Sequence, residues 1–403
     1  VQVAKEQNGV RPFSQIQRTL LSILSILTLS LLFINLKLNN LIGSSSESNL
    51  NLFYFLLPVL FLLLPKYKSQ FRSHAFSLFL ILFSANAVAY LRYGFSFEAV
   101  RLIIAAMAFL SGYSLVKFYS PEKISSFFNI TSLVATTIIL ARFLAYPGMT
   151  LDIYHGNRSA LAEYPYLTAG GHNIEVTYLI FLASLCSNKK IYLTLLTLAF
   201  ALSIIYMSRV GILLITLILI IGLYKRLSLA KFIMAFFFTA FCAPITLYIA
   251  SPQTFERFTN IQQEVEYGDE GVGRIGLLRG ALTALDRNMW GYGTGNSLNA
   301  MTNITGIVYK ENNLHNIYLQ ILLDLGVFGF ASFILFAAFV ISRSIRHGFS
   351  NTYQVLATTY LLIGLIQFTG FDALGWLCLG LAYPSIASRP TKNGNYSSSG
   401  NSK

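Results

Sequence analysis

His315 is the side chain whose type and place best suit chemistry. It closes a long polar stretch and stands directly before an apolar run that begins Asn316-Ile-Tyr-Leu. An imidazole titrates near neutral pH, so one held at a membrane surface can take a proton from a hydroxyl group. The plainer alternative is an ordinary interfacial histidine. His74 and His347 lie at ends of apolar runs, and His155 and His172 in an earlier polar stretch; these are weaker candidates. A second signal is a set of basic residues made almost wholly of arginine. Arg92, Arg101, Arg142, Arg158, Arg209, Arg257, Arg274, Arg279 and Arg287 belong to it, with only Lys37 and Lys310 as lysines. The planar guanidinium fork matches phosphate oxygens two at a time, so such a set gathered on one face would suit a phosphate-bearing ligand. Local pairing or snorkelling competes at every position, and Glu98–Arg101 at i,i+3 is an obvious local pair. No metal-binding motif or clustered acidic pattern appears, so no metal is implied. Asp324 and Asp372 stand near ends of apolar runs, and the acidic run Glu264 to Glu270 reads as a solvated face.

These residues need elements to hold them, and composition says which kind. Of 403 residues 55% are hydrophobic and 11% charged, and the mean hydropathy is +0.60. Soluble domains carry about 25% charged residues, so most of this chain must be solvated by lipid. A spanning helix needs about 20 mostly apolar residues. Twelve segments qualify as candidates: 17–36, 50–65, 74–92, 97–118, 124–146, 173–187, 191–207, 209–224, 228–250, 317–342, 352–369 and 371–388. The stretch 191–224 is nearly continuous, and its length favours a hairpin turning at Met207-Ser208-Arg209. The first segment lacks a small-residue cleavage site and should stay as a span. Cys186, Cys242 and Cys378 lie in or at the ends of apolar segments, without redox or metal spacing, and read as packing residues.

Placing the N-terminus inside and alternating puts 18 of the 29 basic residues on the inner side, opposed only by Glu6 and Glu122. The arginine-rich set then falls on the outer side. This is a strong positive-inside bias, and it puts both termini in the cytoplasm. The same bias accounts for the net charge of +13; with no basic domain outside the apolar segments, nucleic-acid binding is excluded. The organisation expected is an all-α polytopic bundle of about 12 transmembrane helices. Residues 1–250 hold helices 1–9 with an outer loop at 147–172. Residues 251–316 form one large outer loop, 317–388 hold helices 10–12, and 389–403 form a Ser/Gly/Asn-rich disordered tail. Within the large loop, Ile275 to Leu285 reads as an amphipathic helix and Trp290-Gly-Tyr-Gly-Thr-Gly-Asn296 as a tight turn.

Several of these features fall into a pattern. Leu314-His315-Asn316, nine residues, Gly326, two residues and Gly329 resemble a signature of the O-antigen ligase/polymerase family. Met207-Ser208-Arg209 resembles that family's Ser/Thr-Arg turn, Gly273-Arg274 its loop arginine, and Trp290 to Asn296 its Gly-rich turn. Gly156-Asn157-Arg158, His172-Asn173 and Gly370-Phe371-Asp372 also fit, so the resemblance runs over roughly 140–390 in order. It implies a membrane-embedded GT-C type glycosyltransferase of the bacterial inner membrane, with its active face in the periplasm. The donor implied is an undecaprenyl-pyrophosphate-linked glycan. The acceptor is a hydroxyl on lipid A–core for a ligase, or on a lipid-linked glycan for a polymerase. No cofactor is implied. In that scheme Arg209 and Arg274, then Arg158 and Arg279, bind the pyrophosphate in place of a metal, and His315 is the base of an inverting transfer. A transporter of lipid-linked sugars would share the span count and the arginines, but would not need an ordered outer loop ending in a histidine.

Overall fold

The computed structural model describes residues 14–34, 52–64, 74–96, 98–148, 171–206, 208–224, 234, 248, 273–309, 313–349, 351–367 and 370–387. In chain order its helices are α1 (Gln15–Ile34), α2 (Phe53–Leu63), α3 (His74–Tyr93), α4 (Ala99–Phe118), α5 (Pro121–Ala145), α6 (Gly171–Leu185), α7 (Lys189–Ile205), α8 (Arg209–Tyr224), α9 (Arg274–Arg287), α10 (Ser297–Thr305), α11 (Ile317–Arg346), α12 (Thr352–Ile363) and α13 (Ala373–Ala387). Among the described residues there is no strand. Among the described residues, five helices, α1, α3, α4, α5 and α11, are long and apolar enough to cross a membrane. The architecture is that of a polytopic membrane protein. Each of the twelve expected segments except 228–250 contains a helix; that segment lies outside the described residues, apart from Met234 and Tyr248, as do 251–272 and the tail after 387.

Helix starts follow local chemistry. Ser120 accepts a hydrogen bond from the Lys123 amide ahead of Pro121 in α5, Asn188 caps α7, Asn316 caps α11 and Asn351 caps α12. Such side chains satisfy backbone N–H groups that have no partner within the helix. The stretch 191–224 is indeed a hairpin. The helices α7 and α8, which end and begin on either side of Met207, pack against each other and against α6.

The bundle closes around Trp376, which is fully buried among Phe79, Phe109, Phe333 and Phe336. Its indole N–H donates to the Gly370 carbonyl at 2.8 Å. Two glycines let α4 and α13 approach backbone to backbone. A Cβ on Gly112 would come within 2.6 Å of the Leu377 carbonyl oxygen, and one on Gly380 would meet Phe109. Lipid supplies no hydrophobic drive between helices, so close contact between small residues is what holds them. Cys186 and Cys378 are free thiols in the packed interior; Cys242 lies outside the described residues.

Candidate functional site

The described part of the large loop folds on a small core of its own. The buried face of α9 contributes Leu277, Ala281 and Ala284, which pack with Tyr292, Met301, Tyr309, Leu314 and Leu323. The helix expected at Ile275–Leu285 is therefore present, spanning Arg274–Arg287. A second helix, α10, follows the Gly-rich turn and was not anticipated. Tyr292 donates to the Ala284 carbonyl at 2.6 Å. Burial, reinforced by Tyr93, pushes its phenol up to about 12, so it remains a donor at neutral pH. Leu314 belongs to this core and Leu323 lies in α11, so the loop is tied to both sides of the His315 segment.

The Gly-rich turn docks onto an interruption in α11. Gly326 adopts φ 67°, ψ −172° inside the helix, a region open essentially to glycine alone. Gly291, Gly293 and Gly295 all have φ between 85° and 89°. The interruption frees carbonyls, and the turn fills them: Tyr292 N–H donates to Leu323 O at 2.8 Å and Gly293 N–H to Asp324 O at 2.8 Å. In return Val327 N–H donates to Met289 O at 3.0 Å. A Cβ on Gly291 would come within 2.6 Å of the Asp324 carbonyl, and one on Gly326 would strike the Trp290 backbone. The contact therefore demands glycine on both sides. The span expected at 317–342 is thus a helix broken nine residues after it begins.

A chain of buried polar groups runs from this contact to the candidate base. Asp324 accepts from the Ser297 hydroxyl and, at 3.0 Å, from the Gln320 amide. The Gln320 carbonyl accepts from Leu314 N–H at 3.1 Å. Next in sequence is His315, half-buried, with a left-handed backbone (φ 52°) and its N–H on the Asn313 side chain at 2.8 Å. A left-handed backbone on a residue other than glycine is uncommon and draws attention to the position.

Two of the candidate residues' segments meet on one turn. The carbonyls of Gly364, Leu365 and Ile366 follow the end of α12, where no helical partner remains for them. Gly364 O accepts from Ile317 N–H at 2.7 Å, Leu365 O from the Asn316 amide at 2.9 Å, and Ile366 O from the Arg274 guanidinium at 3.1 Å. Three consecutive carbonyls thus gather Arg274 and the residues that follow His315. Asn316 acts twice, since its other side-chain atom caps α11 through Leu319 N–H at 3.0 Å.

The other candidates lie as follows. Arg209 is the first residue of α8 and half-buried. Ser208 before it is the helix cap, accepting from Gly211 N–H at 3.2 Å. The helix it opens packs on α6 and on α12, the helix that leads to the 364–366 turn. Arg279 is exposed on α9, five residues beyond Arg274 and hence about 140° around the helix from it. Arg158 lies outside the described residues. Arg101 pairs with Glu98 as its spacing predicts, and Arg92 lies over the Tyr93 ring and donates to Asn288. Sequence reasoning missed Ser297, Gln320, Glu175 and Tyr206. Glu175 carried a usable signal, as a lone acid near the start of an apolar helix. Among the described residues no three of His, Cys, Asp or Glu gather as a metal site would require.

With this geometry in view, residues 192–334 match the family model described as O-antigen ligase. The matched stretch runs from α7 through the Ser208–Arg209 turn and the large loop into α11 beyond the Gly326 break, and it contains Arg209, Arg274, Arg279 and His315. No curated protein matches the chain.

Proposed function

Because the match at residues 192–334 supports assignment to the O-antigen ligase/polymerase family, we propose that this multi-pass membrane protein is an inverting glycosyltransferase. It moves a glycan from undecaprenyl pyrophosphate to an acceptor hydroxyl, with lipid A–core as the acceptor. The acceptor oxygen attacks the anomeric carbon, the bond from that carbon to the pyrophosphate oxygen breaks, and the hydroxyl proton passes to His315. Undecaprenyl pyrophosphate departs with its charge held by Arg209 and Arg274, assisted by Arg158 and Arg279. The reaction uses no metal, and it takes place on the periplasmic face of the inner membrane.

One observation carries this reading: Arg274 and the residues directly after His315, Asn316 and Ile317, are gathered by successive carbonyls of the 364–366 turn. A cation and a histidine-bearing segment held on one turn supply the two groups that departure of a pyrophosphate and deprotonation of a hydroxyl require. A loop with its own core, anchored by matched glycines, also fits transfer better than transport. The test is transfer in inner-membrane vesicles supplied with a pyrophosphoryl-linked donor. His315→Ala should lower the rate about 10²- to 10⁴-fold, the range that general bases contribute; an unimpaired rate sinks the assignment. Deletion of the gene then identifies the acceptor. Polymer still made on the carrier but absent from lipid A–core means a ligase, whereas a single repeat on the core means a polymerase.

A further inference from the structure

Away from the 364–366 turn, three polar side chains are buried together at the end of α5, the start of α6 and the end of α7. Arg142 is 7% exposed, Glu175 8% and Tyr206 0%. The two terminal nitrogens of Arg142 donate to the two carboxylate oxygens of Glu175. One of them also donates to the Tyr206 hydroxyl at 2.6 Å, and that hydroxyl donates to Glu175 at 3.2 Å. Arg142 additionally lies over the Phe143 ring, 5.0 Å from its centroid. An ion pair within apolar helices is costly to bury, and its stability return over well-packed apolar residues is small. Its presence between three helix ends points instead to a geometric task.

The geometry shows which task. Tyr206 ends α7 immediately before the turn that carries Ser208 and Arg209. Ser208 N–H is bound back to Ser203 O at 2.7 Å, so the turn is short and tightly held. Its approach angle is set by where Tyr206 is pinned, and Tyr206 is pinned to α5 and α6 together. Glu175 would repel an anionic ligand near this turn, but the fork of Arg142 neutralises it. Arg209 opens α8 directly after this held turn.

We propose that Arg142, Glu175 and Tyr206 form a positioning cluster that presents Arg209 to the pyrophosphate of the lipid-linked donor. The proposal rests on the reading of Arg209 given above. The Tyr206→Phe substitution removes one hydroxyl and leaves the Arg142–Glu175 pair in place. In vesicles, kcat/KM for the donor should fall about tenfold, the scale of a hydrogen bond to a charged group. KM for the acceptor should stay unchanged, and the melting temperature of the purified protein should fall only by what the loss of one buried hydrogen bond costs.

A double-mutant cycle supplies the decisive readout. Arg209→Lys alone should impair donor use, and adding Tyr206→Phe to it should cost nothing more, because the group being positioned is already gone. The same Tyr206→Phe change combined with His315→Ala should multiply the two losses. Wild-type donor kinetics for Tyr206→Phe, or multiplied losses in the Arg209→Lys pair, overturns the proposal. Wild-type kinetics for Arg209→Lys would instead remove the pyrophosphate reading of that residue, and the positioning role with it. Should Tyr206→Phe fail to accumulate in the membrane, Arg142→Lys keeps the ion pair while losing the fork. It should reproduce the donor defect with the acceptor KM intact; loss on both substrates alike counts against the cluster.

Discussion

His315 holds a left-handed backbone at φ 52°, a conformation that costs an L-residue of this kind roughly 1–2 kcal/mol. The cost is borne by its neighbours: Asn313 takes its amide, Gln320 the amide of Leu314, and Leu365 the side chain of Asn316. The surrounding bonds hold the strained backbone in place. A specific outcome follows for His315→Gly. Glycine relieves the backbone, so the melting temperature of the detergent-solubilised variant should equal or exceed that of the parent. Transfer in vesicles should still be lost, because the imidazole is gone. A variant that is both unstable and inactive would show that the histidine is there for packing. Arg274, bound to the turn that also takes Asn316, is exposed; a guanidinium so placed can exchange its carbonyl partner for a phosphate oxygen.

Among the elements, the decisive joint is the break in α11. An uninterrupted helix would offer no carbonyls at Leu323 and Asp324, and the Gly-rich turn would have nothing to dock on. Gly326→Ala places a Cβ against the Trp290 backbone in a conformation reserved for glycine. The backbone conformation alone costs of order 1–3 kcal/mol, so thermal stability should drop clearly. Proteolysis of the loop in outward-facing membranes should rise, since detachment of the turn frees α9 and α10. Gly112→Ala is the comparison, because it strains the α4–α13 contact without touching the loop. It should lower stability while leaving the loop resistant to protease. Equal loop cleavage in both variants would mean that the loop is not held by this joint.

For the whole molecule, lipid is the solvent and the arrangement of charge sets the orientation. With 18 of the 29 basic residues assigned to one side, α10 should face the periplasm and the end of α11 the cytoplasm. In a protein whose three cysteines are replaced by serine, a cysteine at Asn303→Cys, exposed on α10, should react with a membrane-impermeant maleimide in intact spheroplasts. One at Arg346→Cys, exposed at the end of α11, should react only after permeabilisation. The reverse pattern would invert the topology and move the His315 site to the cytoplasmic side, where a periplasmic acceptor could not reach it.

Much was legible in sequence because its causes are local. Apolar runs long enough to cross lipid, the hairpin at Ser208, the Asn and Ser caps, the amphipathic helix after Gly273 and the turn at Trp290–Asn296 all depend on neighbours within a few residues. The candidate residues themselves were visible for the same reason, since type and spacing are local. Contacts between distant segments were not. Nothing near Gly326 in sequence says that its partner is Gly291, and nothing near Arg274 says that it meets the residues after His315 on carbonyls ninety positions later. Arg142 was read as one more outer arginine, and only the packing of α5, α6 and α7 joined it to Glu175 and Tyr206. Residue chemistry is written along the chain, whereas which groups share a site is decided by the shape lipid and close packing impose on it.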